Sequence, residues 1–274
     1  MSEPPTSLRP AVALVGAGAM GAALLKGWIA KGAIAAARSA VFDPAISESA
    51  VATAAGGGVS VNPPLTERFD VLVLAIKPQS LSGLEGYAPI ARSALVISVL
   101  AGKSIASVAA ALGGAPRVIR AMPNLPSMLG AGVSGLFAPP ALSAHDRSTA
   151  QALMEAAGAA VYVESEAAID AVTAISGSGP AYFFLMAEAL EEAARALGLP
   201  LETARLLARQ TLAGAGAVIA SDAREASALR KAVTSPGGTT EAALRVLDGD
   251  AQAVRKLMKD AAQAAVIRAR ELTS

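Results

Sequence analysis

Short apolar runs alternate with segments of helical pattern over the first 165 residues of the chain. The runs at residues 11–15 and 70–76 are almost continuously apolar, as strands buried on both faces are. Strands that alternate with helices predict parallel βαβ units and a doubly wound α/β sheet. The predicted strands lie at residues 11–15, 40–42, 59–61, 70–76, 94–99, 118–121, 132–137 and 160–163, and the predicted helices at 20–31, 46–55, 104–112 and 143–157.

The pattern changes after about residue 166, beyond which every ordered segment has a helical period. We therefore predict a sheet domain over residues 1–165 and an all-α domain over residues 166–274. Residues 206–220 are apolar nearly all round, which is typical of a helix covered on every side. A small helical domain has little room to cover such a helix alone, so the pattern predicts that a partner subunit covers it. The helices are predicted at residues 167–176, 180–197, 201–220 and 251–272.

The composition limits the chemistry of the protein. Hydrophobic residues make up 53% of the 274 residues and charged residues 16%, which is typical of a globular chain. A net charge of +1 without a basic run argues against a nucleic-acid partner. The chain has no cysteine and one histidine, His145, which excludes thiolate chemistry. We expect His145 to be solvated and without a role, and we expect no metal site.

The opening of the chain lacks the pattern of a targeting segment. Residues 11–25 are uncharged and could mimic the apolar core of a signal peptide. The segment before them, however, carries Glu3, Arg9 and prolines and is not the basic segment with which a signal peptide begins. No apolar run reaches the roughly 18 residues of a membrane span without a glycine or proline. We therefore expect a cytoplasmic protein that does not enter the membrane.

A glycine-rich turn follows the first predicted strand and opens the first predicted helix. It reads Gly16-Ala17-Gly18-Ala19-Met20-Gly21, a GxGxxG motif in the context that dinucleotide binding requires. Gly16 permits the tight turn, Gly18 lets the backbone approach a pyrophosphate, and Gly21 lets the helix pack close to the strand. The motif predicts a Rossmann-type nucleotide domain, and the alternative is an ordinary turn in a chain rich in alanine and glycine.

Two further segments lie where the carboxyl ends of the predicted strands meet. Asp43 ends the second strand, where an acidic residue usually bonds the adenosine ribose and favours NAD over NADP. The alternative for Asp43 is a turn residue that caps the next helix. The sequence Ala75-Ile76-Lys77-Pro78 follows the fourth strand, so we expect it near the cofactor. The alternative for Lys77 is a solvated side chain beside a helix start.

Two polar, glycine-rich loops interrupt the helical half, at residues 173–180 and 233–240. Small hydroxyl residues and glycines at a helix start present many N–H and O–H donors, which suits a carboxylate without any cationic side chain. On spacing alone, a pair of capped turns between helices explains these loops equally well.

With these motifs in view, the chain resembles the pyrroline-5-carboxylate reductases over residues 11–272. The resemblance rests on GAGAMG at 16–21, AIKP at 75–78, RAMPNLP at 120–126, DAVTAISGSGPAY at 170–182 and SPGGTT at 235–240. It implies reduction of the cyclic imine 1-pyrroline-5-carboxylate to L-proline with NADPH or NADH. It also implies a C-terminal domain that intertwines in a homodimer, with dimers often stacked into decamers.

The resemblance implies roles for further residues. Ala232 departs from the polar residue that some relatives carry, which puts the cofactor-facing side of that loop in doubt. Thr240 is the candidate for orienting the ring nitrogen of the substrate. The other implied contacts are Asn62, Val99, Leu100 and Ala101 for the cofactor, and Glu166, Thr173, Ser235, Gly238, Thr239 and Thr240 for the substrate.

The absence of cysteine and the presence of only one histidine agree with this chemistry. If the imine binds as the iminium, its nitrogen already carries the proton, and hydride addition needs no general acid. One alternative is a β-hydroxyacid dehydrogenase, but Phe183 stands where a GxGxxxK sequence would supply a catalytic lysine. Another alternative is a nucleotide-sensing regulator without turnover, against which the intact SPGGTT loop argues.

Overall fold

The computed structural model describes residues 9–65 and 68–271, and the chain divides into two compact units. The first unit comprises Met1–Ser178 together with Ala265–Ser274, and the second comprises Gly179–Ala264. The division after Ser178 lies beyond the predicted boundary at residue 165. The residues between these two positions pack on the sheet, because the Val172 side chain lies so close to Gly135 that a Cβ there would clash with it.

The first unit is built on one eight-stranded sheet with the order β3-β2-β1-β4-β5-β6-β7-β8. The predicted doubly wound sheet is thereby confirmed. Every neighbouring pair of strands is parallel except β6 and β7, which are antiparallel. The strands are β1 (Val12–Val15), β2 (Ala40–Phe42), β3 (Ser60–Val61), β4 (Val71–Leu74), β5 (Leu95–Ser98), β6 (Val118–Met122), β7 (Gly132–Phe137) and β8 (Gly158–Tyr162).

The antiparallel pair has a simple cause in the length of its connection. Residues 123–131 join β6 to β7 and contain only the 3₁₀-helix Leu125–Leu129. A parallel crossover needs a dozen or more residues, so this short link turns the chain back on itself. The alternation of strands and helices did not reveal this exception.

Helices cover both faces of the sheet, which explains the continuous apolar runs of its strands. Val12 and Leu14 pack in one core with the helix that carries Trp28, while Ala13 and Val15 pack in a second core on the opposite face. The helices of this unit are α1 (Ala19–Lys31), α2 (Glu48–Gly56), α3 (Ala88–Ala91), α4 (Ile105–Ala111), α5 (Ala144–Glu155) and α6 (Ala168–Val172), which continues as the π-helix Thr173–Gly177.

The second unit is helical and covers little of its own apolar surface. Across residues 179–264, all of which the structure describes, only Gly179, Ala204 and Ala208 are buried. Two of its helices, Ala226–Ala232 and Thr239–Asp248, were not delimited from the sequence. Its helices are α7 (Gly179–Ala196), α8 (Leu201–Ser221), α9 (Ala226–Ala232), α10 (Thr239–Asp248) and α11 (Ala253–Glu271), the last of which ends in the first unit.

Candidate functional site

The three glycines of the loop after β1 have the geometry that dinucleotide binding requires. Gly16 has a φ of 94°, a conformation that favours glycine, and its N–H donates to the Phe42 carbonyl at 2.8 Å. A Cβ at Gly21 would overlap the Gly16 carbonyl oxygen, so α1 can lie this close only with glycine. At Gly18 a Cβ would meet nothing within 4 Å, which leaves room beside the backbone for a ligand.

The N-terminus of α1 opens directly from this loop. Gly18 is the N-cap and supplies no side chain to satisfy the first N–H groups of the helix. These groups and the positive end of the helix dipole suit a pyrophosphate. A cleft of about 450 Å³ continues from Gly18 along α1 towards α2, and Lys26, Asp43 and Ser47 line it.

Asp43 ties the loops after β1 and β2 together. One carboxylate oxygen accepts the Ala17 N–H at 2.7 Å, and the other accepts the Ala45 N–H at 2.8 Å. Both oxygens are thus engaged by the backbone, as the turn interpretation requires. The negative charge nevertheless lies beside the glycine loop, where an adenosine ribose would approach.

Asn62 braces the same loop from the next strand. Its Oδ1 accepts the Asp43 N–H at 2.9 Å, and its Nδ2 donates to the Asp43 carbonyl at 3.0 Å. Asn62 itself has a φ of 46°, a conformation that asparagine tolerates better than most residues. The structure therefore gives Asn62 a bracing role beside the expected cofactor contact.

Tyr87 belongs to this region and was missed from the sequence. Its ring meets the edge of Phe42 at a centroid distance of 5.8 Å. Burial raises the pKa of the Tyr87 hydroxyl, and the negative charge of Asp43 raises that pKa further. Tyr87 lies in a short 3₁₀-helix of residues 85–87, which no periodic pattern indicated.

The segments after β4 and β5 complete this edge of the sheet. The Ala75 N–H donates to the Val15 carbonyl at 2.8 Å, and the Val99 N–H donates to the Leu74 carbonyl at 3.0 Å. Ile76 is half-buried, and the exposed Lys77 precedes the 3₁₀-helix Pro78–Gly83. Leu100 is 2% exposed and packs in the core, so only its backbone can line a ligand, whereas Ala101 is exposed.

A buried ionic cluster lies beside the helix that follows β5. Glu166 accepts the Ile105 N–H, at the first turn of α4, at 2.7 Å. The Arg120 guanidinium on β6 lies 3.6 Å from Glu166 and 3.8 Å from Asp170. Arg120 and Asp170 belong to motifs that the sequence singled out, but neither was assigned a role.

The π-helix that contains Thr173 is held by the loop after β6. Asn124 donates from Nδ2 to the Ser176 carbonyl at 3.1 Å and accepts the Val133 N–H at 2.9 Å. The Thr173 hydroxyl donates to the Ile169 carbonyl at 2.8 Å. Single-turn π-helices occur frequently at functional sites. A helix was predicted here, but a periodic pattern does not distinguish the wider π turn.

The loop predicted to hold a carboxylate lies in the second unit and opens α10. Gly238 is the N-cap, and Gly237 has a φ of 72°. The Gly237 N–H already donates to the Glu241 carboxylate at 2.9 Å, and the Gly238 N–H donates to the Ser235 carbonyl at 3.0 Å. An incoming anion is therefore left with the N–H groups of Thr239 and Thr240 at the start of the helix.

Together, the sheet order, the glycine loop and the uncapped helix define a dinucleotide-binding protein. A family model described as "NADP oxidoreductase coenzyme F420-dependent" matches residues 11–102. A second model, described as "Pyrroline-5-carboxylate reductase dimerisation", matches residues 166–272. Within the described ranges, no helix is long and apolar enough to cross a membrane.

Comparison with individual proteins gives the family. The chain is 41% identical to a pyrroline-5-carboxylate reductase of Pseudomonas aeruginosa over 96% of its own length and 97% of the relative's. A reductase structure from Coxiella burnetii is 37% identical with a TM-score of 0.87, covering 97% of this chain and 99% of that one. A Plasmodium falciparum structure with NADP bound is 25% identical with a TM-score of 0.79, covering 97% and 98%. The chain belongs to the pyrroline-5-carboxylate reductase family, as its motifs predicted.

Proposed function

We propose that this protein reduces 1-pyrroline-5-carboxylate to L-proline with a hydride from NADPH or NADH, the last step of proline biosynthesis. The observation that carries the proposal is the glycine loop. Its φ angle at Gly16, its open Gly18 and its close-packed Gly21 suit a pyrophosphate, in a chain of this family. A reduced nicotinamide bound at this edge supplies the hydride for the imine carbon.

The first unit holds the cofactor in this proposal. Backbone N–H groups at Ala19 and Met20 receive the pyrophosphate, because α1 begins there without a capping side chain. The segments at 75–78 and 99–101 line the nucleotide beyond β4 and β5. The Plasmodium relative holds NADP, whereas the negative charge of Asp43 favours NADH, and we expect the enzyme to use both cofactors.

The second unit supplies the carboxylate site. Thr239 and Thr240 begin α10, and the helix dipole favours an anion there. In our proposal the Thr240 hydroxyl orients the ring nitrogen, while Glu166 and Thr173 line the substrate. Ser235 and Gly238 shape the loop through the hydrogen bond between them. The iminium carries its proton into the site, so hydride addition at carbon leaves a neutral amine nitrogen without a general acid.

The proposal includes assembly and location. The protein forms homo-oligomers, in agreement with the dimerisation domain at residues 166–272. An intertwined dimer is the unit that we propose, with stacking into a decamer as the larger assembly. We propose the cytoplasm as the place where this biosynthetic enzyme works.

The proposal is tested by turnover of purified protein with 1-pyrroline-5-carboxylate and each reduced cofactor. We expect oxidation of the cofactor together with formation of proline, detected by amino-acid analysis. The ring without a carboxylate, 1-pyrroline, is the matched control and should react poorly, because it leaves the Thr239 and Thr240 donors unpaired. Reduction of NAD(P)+ by β-hydroxyacids, without oxidation of NAD(P)H by the imine, would refute the proposal.

A further inference from the structure

Arg120 is a buried cation in the middle of β6, and it is only 4% exposed. A buried charge persists in a fold only with partners of opposite charge. Arg120 has two such partners, Glu166 after β8 and Asp170 on α6, at 3.6 and 3.8 Å. One guanidinium therefore joins the strand to two carboxylates from a later part of the chain.

The Glu166 carboxylate is held more firmly than the Asp170 carboxylate, because it also accepts a backbone hydrogen bond. Its Oε1 accepts the Ile105 N–H at 2.7 Å, and the same oxygen lies nearest to Arg120. Charge-assisted bonds of this kind hold a carboxylate in a defined orientation. Because both contacts use Oε1, Oε2 is left to accept a hydrogen bond from a ligand, and the side chain is 31% exposed.

Glu166 contacts the start of α4, which lies near the ligand-binding edge of the sheet. Ile105 begins α4, directly after the segment that leaves the carboxyl end of β5. The same edge carries the glycine loop, and ligands of doubly wound sheets bind beyond this edge. Glu166 thus presents one free carboxylate oxygen at the edge where the reduction is proposed to occur.

We infer that Arg120 is a positioning residue, which aims Glu166 so that Oε2 accepts the one N–H of the substrate ring together with the Thr240 hydroxyl oxygen. The inference rests on the proposed function. Asp170 completes the arrangement by sharing the guanidinium, and Arg270 lies 3.8 Å from its other oxygen. The competing interpretation is that the cluster only fastens α6 to the sheet.

The same strand offers a matched control. Arg117, the residue before β6, donates to the buried Asp146 at 2.9 Å in a closer ion pair. Arg117→Met should lower thermal stability and leave the kinetics of the folded enzyme unchanged. Arg120→Met should lower kcat for the imine by about 100-fold, the scale of an atomic misplacement of about 1 Å. The Kd for NADPH should change by less than about twofold in both variants.

A double-mutant cycle separates positioning from fastening. If Arg120 acts through Glu166, then Arg120→Met combined with Glu166→Gln should be no slower than Glu166→Gln alone. Arg120→Lys keeps the charge and should recover about tenfold of the lost kcat. It replaces Arg120→Met in the cycle if that variant does not fold.

Turnover of the imine by the wild-type enzyme is measured first. If the proposed function is wrong, the wild-type enzyme does not reduce the imine. If only the positioning role is wrong, the wild-type enzyme is active and the variants do not behave as described. Multiplicative losses in the double variant would overturn the inference. So would wild-type kcat in a folded Arg120 variant.

Discussion

The two units of this protein use apolar residues in opposite ways. In the first unit, Leu14, Trp28 and Leu72 are at most 1% exposed, because helices cover both faces of the sheet. In the second unit, Phe183, Leu206 and Ile219 are each 60% exposed. Apolar surface on this scale marks an interaction site. The first unit therefore has a core that is covered within one chain, whereas the second depends on an oligomer to cover its apolar surface.

Polar contacts do not compensate for the missing core of the second unit. Asp248 at the end of α10 pairs with Arg230 on α9 at 3.1 Å and with Arg255 on α11 at 2.7 Å. Such pairs at the surface contribute little to stability, since solvent screens them. The stability of this unit must come mainly from apolar contacts between copies of the chain.

The largest expected effect is the loss of assembly. Leu206→Glu places a charge on the exposed apolar side of α8, where desolvation on association would be costly. We expect this variant to be monomeric and without activity, as measured by light scattering and turnover. Val51→Glu, on α2 of the first unit and 38% exposed, is the control and should leave both unchanged. If Leu206→Glu still forms an active oligomer, the second unit does not depend on apolar contacts of α8 between chains.

The second effect concerns the carboxylate loop at α10. A lost hydrogen bond to a charged group costs about 1.5–3 kcal/mol, so Thr240→Ala should lower kcat/KM for the imine by roughly 10- to 150-fold. The NADPH affinity should remain, because the first unit holds the pyrophosphate. If Thr240 is only a residue of the first turn of α10, whose N-cap is Gly238, the variant would instead change at most in stability and keep wild-type kinetics. Melting temperature and kcat/KM measured on the same sample decide between these outcomes.

The third effect separates two glycines of the first unit. Gly21→Ala forces a methyl group against the Gly16 carbonyl, and overpacking of this kind costs about 1–3 kcal/mol of stability. Gly18→Ala meets nothing within 4 Å, so its melting temperature should stay unchanged while its NADPH affinity falls. Calorimetry and cofactor titration check both variants. Unchanged cofactor affinity in Gly18→Ala would show that no pyrophosphate lies against this glycine.

The fourth effect tests the charge beside the glycine loop. Asp43→Ser removes a negative charge that opposes the 2′-phosphate, which should raise NADPH use relative to NADH by roughly 1–2 kcal/mol. The ratio of kcat/KM for the two cofactors is the measurement. Asp43 is a turn residue alone if that ratio does not move.

The smallest effect concerns acid stability of the second unit. The Arg255 guanidinium holds the pKa of Asp248 below its usual value, with Arg230 adding to the shift. The ionised pair therefore contributes stability above about pH 4, and this contribution is lost as the pH falls through the lowered pKa. Asp248→Asn should reduce the melting temperature at pH 7, and the difference from wild type should shrink in acid. The exposed Asp250→Asn should show no such convergence.

The sequence predicted the parts of the fold that depend on periodicity. The continuous apolar runs and the glycine spacing predicted the sheet and its loop, since both follow from local geometry. The antiparallel β7 was missed because its connection to β6, whose only helix is the 3₁₀-helix Leu125–Leu129, has no hydrophobic period. The hydrogen bonds of Asp43 could not be predicted either, because the Ala17 N–H that donates to its carboxylate belongs to a different loop. Arg120 was unassigned because an arginine within a strand does not reveal which carboxylates the fold brings to it.

Assembly and catalysis can be tested together by active-enzyme sedimentation, in which the moving band is detected through its oxidation of NADPH in the presence of 1-pyrroline-5-carboxylate. The account predicts that the band which oxidises NADPH sediments as a multiple of the 27.2 kDa chain, even in dilute solution. An active band at the mass of the single 27.2 kDa chain, or an assembled band that does not oxidise NADPH, would contradict it.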